Sequence, residues 1–208
     1  EPIAYIANRA HHAEIGGITP GSMPPDATCL AEEGVVIAPT WLIKGGASCF
    51  SEVEKILTEA PYPTRRLADN LADLNAQLAS NQRGVAILGS LIASHGGNQL
   101  REQFALLKEL SLVALEEHLR SSGFDAGEAL ETLDDGTPIR VAIRVKEGRL
   151  MVSFAGTGHH HPGNLNATPA IIQSAVLYVL RLWTQSPVPL NEGMMRSVEI
   201  DLPPCFLN

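Results

Sequence analysis

The 208-residue chain is 45% hydrophobic and 18% charged, which supports a sizeable core in one large domain or two small ones. Fifteen Lys and Arg against 23 Asp and Glu give a formal net charge of -8 without a basic cluster, so nucleic acid is not an expected partner. Gln173 and Ser174 interrupt the longest apolar run short of the roughly 18 residues a membrane span needs, so no membrane-spanning helix is expected.

From Ile3 to His12 the chain reads as a strand, with Ile3, Tyr5, Ala7, Arg9 and His11 on one face and Ala4, Ile6, Asn8, Ala10 and His12 on the other. The stretch from Gly16 to Pro25 is rich in turn formers and predicts an ordered loop. Gly34-Val-Val-Ile and Thr40-Trp-Leu-Ile-Lys, the latter bounded by Gly45-Gly46, predict two short strands. Ser51-Glu-Val-Glu54 has capping-box spacing and predicts a helix through Ile56 and Leu57.

Leu67, Leu71, Leu74 and Leu78 recur at helical offsets with alanines beside them, predicting a helix that continues through Val85 to Ser94 and ends at Gly96-Gly97. Asn98 is the expected cap of a second helix, with a stripe of Leu100, Phe104, Leu107 and Val113 running to about His118 and lying antiparallel to the first. Ile139 to Val145 and Leu150 to Phe154 flank a short glycine-containing loop, the pattern of a hairpin. Thr168-Pro169 opens a helix that is apolar almost all round from Ile171 to Trp183 and is expected to be the most buried; Ser197 to Leu202 forms a last strand. Strands and helices do not alternate strictly, so the expected class is α+β, with long antiparallel helices packed against short mixed strands and a hairpin.

The three cysteines, Cys29, Cys49 and Cys205, are scattered without CxxC spacing, so a reducing cytoplasm is the expected compartment. The chain opens on a strand-like stretch without an initiator Met and closes on Asp201-Leu-Pro-Pro-Cys-Phe-Leu-Asn208 with apolar residues unplaced, which reads as a piece truncated at both ends.

His11-His12-Ala-Glu14 has the ligand types of a divalent first-row metal site, and strand parity lets one histidine point into a site while the other packs or hydrogen-bonds. A hydrogen-bonded strand-end histidine is the ordinary alternative. His159-His-His161 sits in a loop and is assigned no role. Asn70, Asp73 and their polar neighbours lie at helical spacing opposite the leucines, either as a solvated face or as a pocket lining; Asn164, Asn166, Asn191 and Glu192 are turn-friendly. Neither GxxxxGK[ST] nor GxGxxG occurs at a strand-to-helix junction, so no ATP site is expected in this chain, and no GxSxG, HExxH or Cys-His arrangement is present.

The run Asn8-Arg-Ala-His-His-Ala-Glu-Ile-Gly-Gly-Ile-Thr-Pro-Gly-Ser-Met-Pro-Pro25 resembles the Asn-Arg-x-His-His-Ala-Asp-Ile-Gly-Gly stretch of the hydantoinase B/5-oxoprolinase family. The resemblance continues through Glu32-Glu-Gly-Val, Asp69 to Asn81, Asp135-Gly, Phe154-Ala-Gly-Thr157, Pro162-Gly-Asn-Leu-Asn-Ala167 and Pro189-Leu-Asn-Glu-Gly193, in family order. It implies the central part of a larger B-type domain, and ATP-dependent opening of a cyclic amide, foremost 5-oxoproline to glutamate within glutathione metabolism. A hydantoinase A-like region or subunit would bind ATP and phosphorylate the substrate, and this region would hydrolyse the activated intermediate in an oligomeric assembly. The resemblance further implies a divalent metal (Mn, Co or Zn) held by His11 with ligands upstream of Glu1. Glu14, standing where many members have Asp, is carried as a second ligand, and Asn70, Asp73, Asn164, Asn166, Asn191 and Glu192 as substrate-binding or pocket-lining residues. An N-methylhydantoinase subunit, an acetone or acetophenone carboxylase subunit, and a noncatalytic module docking an ATP-binding partner are the alternatives.

Overall fold

Glycines and prolines punctuate the chain into helices and strands that gather into two compact units, and the computed structural model describes residues 2–208. The first unit comprises the N-terminal 97 residues together with Pro162–Asn164; the second comprises Asn98–His161 and Leu165–Asn208.

The first unit contains a single-turn helix α1 (Leu30–Glu33), a minimal hairpin of β1 (Ile43–Lys44) and β2 (Ala47–Ser48), and helices α2 (Phe50–Glu59) and α3 (Leu67–His95). The strands expected from Ile3 and from Gly34 do not form; neither segment joins a strand ladder, although Val35 N–H donates to the Ile15 carbonyl at 2.7 Å. The helix expected at Ser51 starts one residue earlier, at Phe50, and its first turn lacks a side-chain cap. Apolar residues of α2 and α3 meet as Val53, Leu57 and Leu74, all buried, with Ile15, Val35, Leu42, Leu67 and Leu71 packed around them. The long leucine helix runs through Gly84 and Gly89 without a break and stops where Gly96 takes a left-handed φ of 83° and donates to the Ile92 carbonyl.

The second unit builds a four-stranded sheet in the order β3 (Ala126–Thr132), β4 (Pro138–Lys146), β5 (Arg149–Ser153), β6 (Val198–Asp201). The first three strands are antiparallel, β4 and β5 joined by a tight turn at Glu147-Gly148, and β6 lies parallel to β5 after a crossover through α5 (Pro169–Thr184). The sequence gives little sign of β3, whose alternation is weak. Helix α4 (Gly97–Ser121) begins one residue before Asn98, the expected cap, and buries Leu115 and Leu119 against Leu150, Val152, Leu180 and Met194. The two long helices α3 and α4 thus build the cores of different units.

Helix α5 and the C-terminal residues depart from expectation in opposite directions. Helix α5 buries only Ile172 and Leu180; Ile171, Tyr178, Val179 and Leu182 are each more than half exposed, because core partners line one side of it alone. The C-terminal residues expected to be unplaced instead fill a core: Cys205, Phe206 and Leu207 pack with Ile172, Ile139 and Ile200.

Candidate functional site

Helix α3 carries two stripes. Leu67, Leu71 and Leu74 enter the core, while Asn70, Asp73, Gln77 and Asn81, at offsets of three, four and four, share another face. The N-terminal segment runs along this polar face in the opposite direction. Asn8 donates through Nδ2 to the Gln77 carbonyl at 2.8 Å and to Asn81 Oδ1 at 2.9 Å. His12 Nδ1 lies 3.2 Å from Asp73 Oδ2, an approach suited to an ion pair but out of alignment for a hydrogen bond. Toward the far end of the helix, Ile6 crosses over Gly84, where a Cβ would stand 2.7 Å from its Cγ2, so the absence of a side chain lets the segment lie down. The polar stripe is therefore a track for residues 6–14, on which Asp73 stays half exposed.

Glu14 anchors the near end. It is 6% exposed, and its carboxylate accepts four hydrogen bonds: Oε1 from the Gly16 amide at 2.6 Å and the Arg65 guanidinium at 3.1 Å, Oε2 from the Thr64 hydroxyl at 2.6 Å and the Arg65 amide at 3.1 Å. Burial is the largest single influence and pushes its pKa up, yet the donors from Thr64, Gly16 and Arg65 together outweigh it and hold the carboxyl below its ordinary 4.5. The Thr64 hydroxyl in turn accepts from Asn70 Nδ2 at 2.7 Å, and Arg65 reaches on to the Gly17 carbonyl at 2.7 Å. Arg65 and Thr64 escaped the sequence reading; the one available signal is that they immediately precede the α3 helix.

These contacts fix the backbone on either side of His11, whose imidazole is exposed. It faces a cavity of about 540 Å³ lined also by His12, Ser22, Met23, Leu30, Glu33 and Val36. One wall is the glycine-rich loop, where Ser22 and Met23 adopt left-handed φ of 59° and 54°. Such residues cost about 1–2 kcal/mol each and persist only under restraint. The restraint is visible: Ser22 Oγ donates to the Gly16 carbonyl and accepts from the Ile15 amide, Met23 N–H donates to the Glu33 carbonyl, and Asn164 Nδ2 donates to the Pro24 carbonyl at 2.7 Å.

The donor set decides how far these residues fit a divalent metal. His11 is accessible and suits one coordination position, whereas Glu14 has its oxygens occupied by protein donors and does not line the cavity. Among the described residues no cluster of three or more His, Cys, Asp or Glu stands ready to hold a cation.

The remaining expected pocket residues have structural partners. Asn70, Asp73 and Asn164 take part in the contacts above and do not line the His11 cavity. Asn166 bonds both the amide and the carbonyl of His161, whose ring lies 3.0 Å from Asp135. Asn191 donates to the buried Ser111 hydroxyl at 2.7 Å and accepts from the Gly193 amide. Glu192 pairs with Lys108, which holds its carboxyl below the ordinary range, and lines a separate surface cavity with Met195 and Arg196.

A family model described as Hydantoinase B/oxoprolinase matches residues 1–208. The chain belongs to this family. It is 37% identical to a 5-oxoprolinase of Saccharomyces cerevisiae over 98% of its length and 34% identical to 5-oxoprolinase 1 of Arabidopsis thaliana over 97%. It spans only 17% and 18% of those two proteins. Among solved structures it resembles an ATP-dependent caprolactamase from Pseudomonas jessenii, with a TM-score of 0.82 and 26% identity, covering 93% of this chain and 34% of that one. An acetone carboxylase shares the fold, with a TM-score of 0.75 over 96% of this chain and 28% of that one at 14% identity.

Proposed function

We propose that this chain supplies part of the hydrolytic site of an ATP-dependent cyclic-amide hydrolase, with 5-oxoproline as substrate and glutamate as product. The observation that supports it is the placement of His11: an accessible residue at a cavity of about 540 Å³, on a segment tied down on either side by hydrogen bonds of Asn8 and Glu14. Relatives bearing the 5-oxoprolinase name over nearly the whole chain point to the substrate.

An unstrained lactam is a poor electrophile, so a hydantoinase A-like region or subunit would bind ATP and phosphorylate the carbonyl oxygen, creating a leaving group. His11 would hold a divalent cation (Mn, Co or Zn) together with ligands outside this chain. Such a cation lowers the pKa of bound water toward neutrality. Met23, Leu30 and Val36 would pack the ring of the substrate, and Glu14, through Arg65 and Thr64, would keep the His11 backbone in place. A cytoplasmic, oligomeric enzyme of glutathione metabolism is the corresponding setting. The structural likeness to a caprolactamase favours a second reading, a related lactam as substrate.

The deciding assay offers the full-length protein with its A-type partner ATP and, in turn, 5-oxoproline, caprolactam, a hydantoin, and acetone with bicarbonate. Glutamate from the first alone supports the primary reading; product from another substrate replaces it. His11→Ala is expected to lower metal content and turnover together. Unchanged metal and rate refute the His11 role. No turnover with any substrate leaves a noncatalytic docking module. The 208 residues by themselves are expected to bind no ATP in calorimetry.

A further inference from the structure

We propose that Asn164 is a positioning residue for the His11 cavity, acting through the Pro24 carbonyl to hold the left-handed Ser22–Met23 corner; this rests on the lactam reading above.

Residues Pro162–Asn164 belong to the first unit although the chain on both sides belongs to the second. The side chain they contribute there is Asn164, 140 positions from Pro24 in sequence, with Nδ2 at 2.7 Å from its carbonyl. Pro24 is buried, and it directly follows two non-glycine residues with positive φ. Among the described residues, ties on this corner also come from its own neighbourhood: Ile15, Gly16 and Thr19 to Ser22, and Glu33 to Met23 at 3.3 Å. A segment whose preferred conformation lies elsewhere needs an external restraint to stay in a sparsely populated one, and Asn164 supplies it. Met23, 78% exposed at the cavity wall, takes its direction from that backbone. Asn164 does not itself line the cavity, so its effect on substrate is indirect.

The test combines Asn164→Asp, isosteric but without the donor, with Met23→Gly, which accepts positive φ without restraint. In the 208-residue chain, Asn164→Asp is expected to speed hydrogen exchange at the Ser22 and Met23 amides. In the full-length enzyme with its A-type partner it is expected to raise KM for the lactam about tenfold at unchanged kcat, the signature of lost binding. In a Met23→Gly background the same substitution should change KM less than about twofold, as coupling through a shared contact requires. Unchanged exchange at both amides, or an equal KM penalty in both backgrounds, overturns the proposal. If Asn164→Asp does not fold, Asn164→Ser, too short to reach Pro24, is read in its place. If the unaltered enzyme opens no lactam, the lactam reading fails alone, and the exchange rates still decide whether Asn164 holds the corner.

Discussion

Arg65 grips Glu14 from two directions, its backbone N–H donating to Oε2 and its guanidinium to Oε1, each at 3.1 Å. A carboxylate so held is a fixed point for the segment that carries His11.

Glu14→Gln should therefore destabilise the first unit by about 1–3 kcal/mol at neutral pH, because an amide turns one acceptor into a donor facing donors. The pH dependence has a definite sign. With the folded pKa depressed below 4.5, the stabilisation is complete above pH 4.5 and is lost as pH falls through the folded value. Hydrogen-exchange protection in α2 and the first turns of α3, corrected for the intrinsic pH dependence of exchange, should thus fall on acidification in the unaltered chain and respond less in Glu14→Gln. Equal acid responses would remove Glu14 from the account.

Gly84→Ala tests the track along α3. Helix propensity alone favours alanine by about 1 kcal/mol. Here the added methyl would meet Ile6, so trypsin should cut faster after Arg9 in the displaced segment, and Ile6→Ala should restore the original rate. Unchanged cleavage in Gly84→Ala contradicts the close crossing.

How much of this was legible in the sequence depended on whether a residue's partner was local. The Leu67 to His95 helix, the Glu147-Gly148 turn and the Thr168-Pro169 start follow from spacing and turn chemistry within a few residues. The alternation predicted for a strand at Ile3 to His12 survives in part, His11 exposed and His12 largely covered, though the backbone joins no sheet. For Asn70 and Asp73 the sequence leaves a pocket lining or a solvated face open, since nothing in a helical stripe reveals that Thr64 will take Asn70 as its partner or that His12, far earlier in the chain, will lie against Asp73. Arg65 was invisible for the same reason: an arginine before a helix has no signature until the buried carboxylate it serves is known.

Asn191→Ala should cost about 1–3 kcal/mol in urea unfolding of the second unit, because it strips the donor from Ser111, a hydroxyl only 1% exposed. Ser111→Ala added to it should cost less than the sum of the single changes. Full additivity would mean that the two side chains do not depend on each other.

Helix α5 separates two kinds of apolar residue. Val176 packs against both core clusters of the second unit, so Val176→Asp is expected to abolish soluble folding, while Tyr178→Lys at a 62% exposed position should change stability by less than about 0.5 kcal/mol. Expression and thermal melting distinguish the two. A stable Val176→Asp protein would show that this face is not the buried one.

The antiparallel run of residues 6–14 along α3 makes the helix a ruler for the histidines. An extended chain presents alternate residues to opposite sides, so one residue inserted between Asn8 and His11 would bring His11 to the place where His12 meets Asp73 and carry His12 beyond it. One residue inserted into α3 between Asp73 and Gln77 would swing its later contacts by about 100° around the axis and pull Asn8 away from its carbonyl. A substitution in this region alters one contact, whereas a change of length moves every contact beyond it.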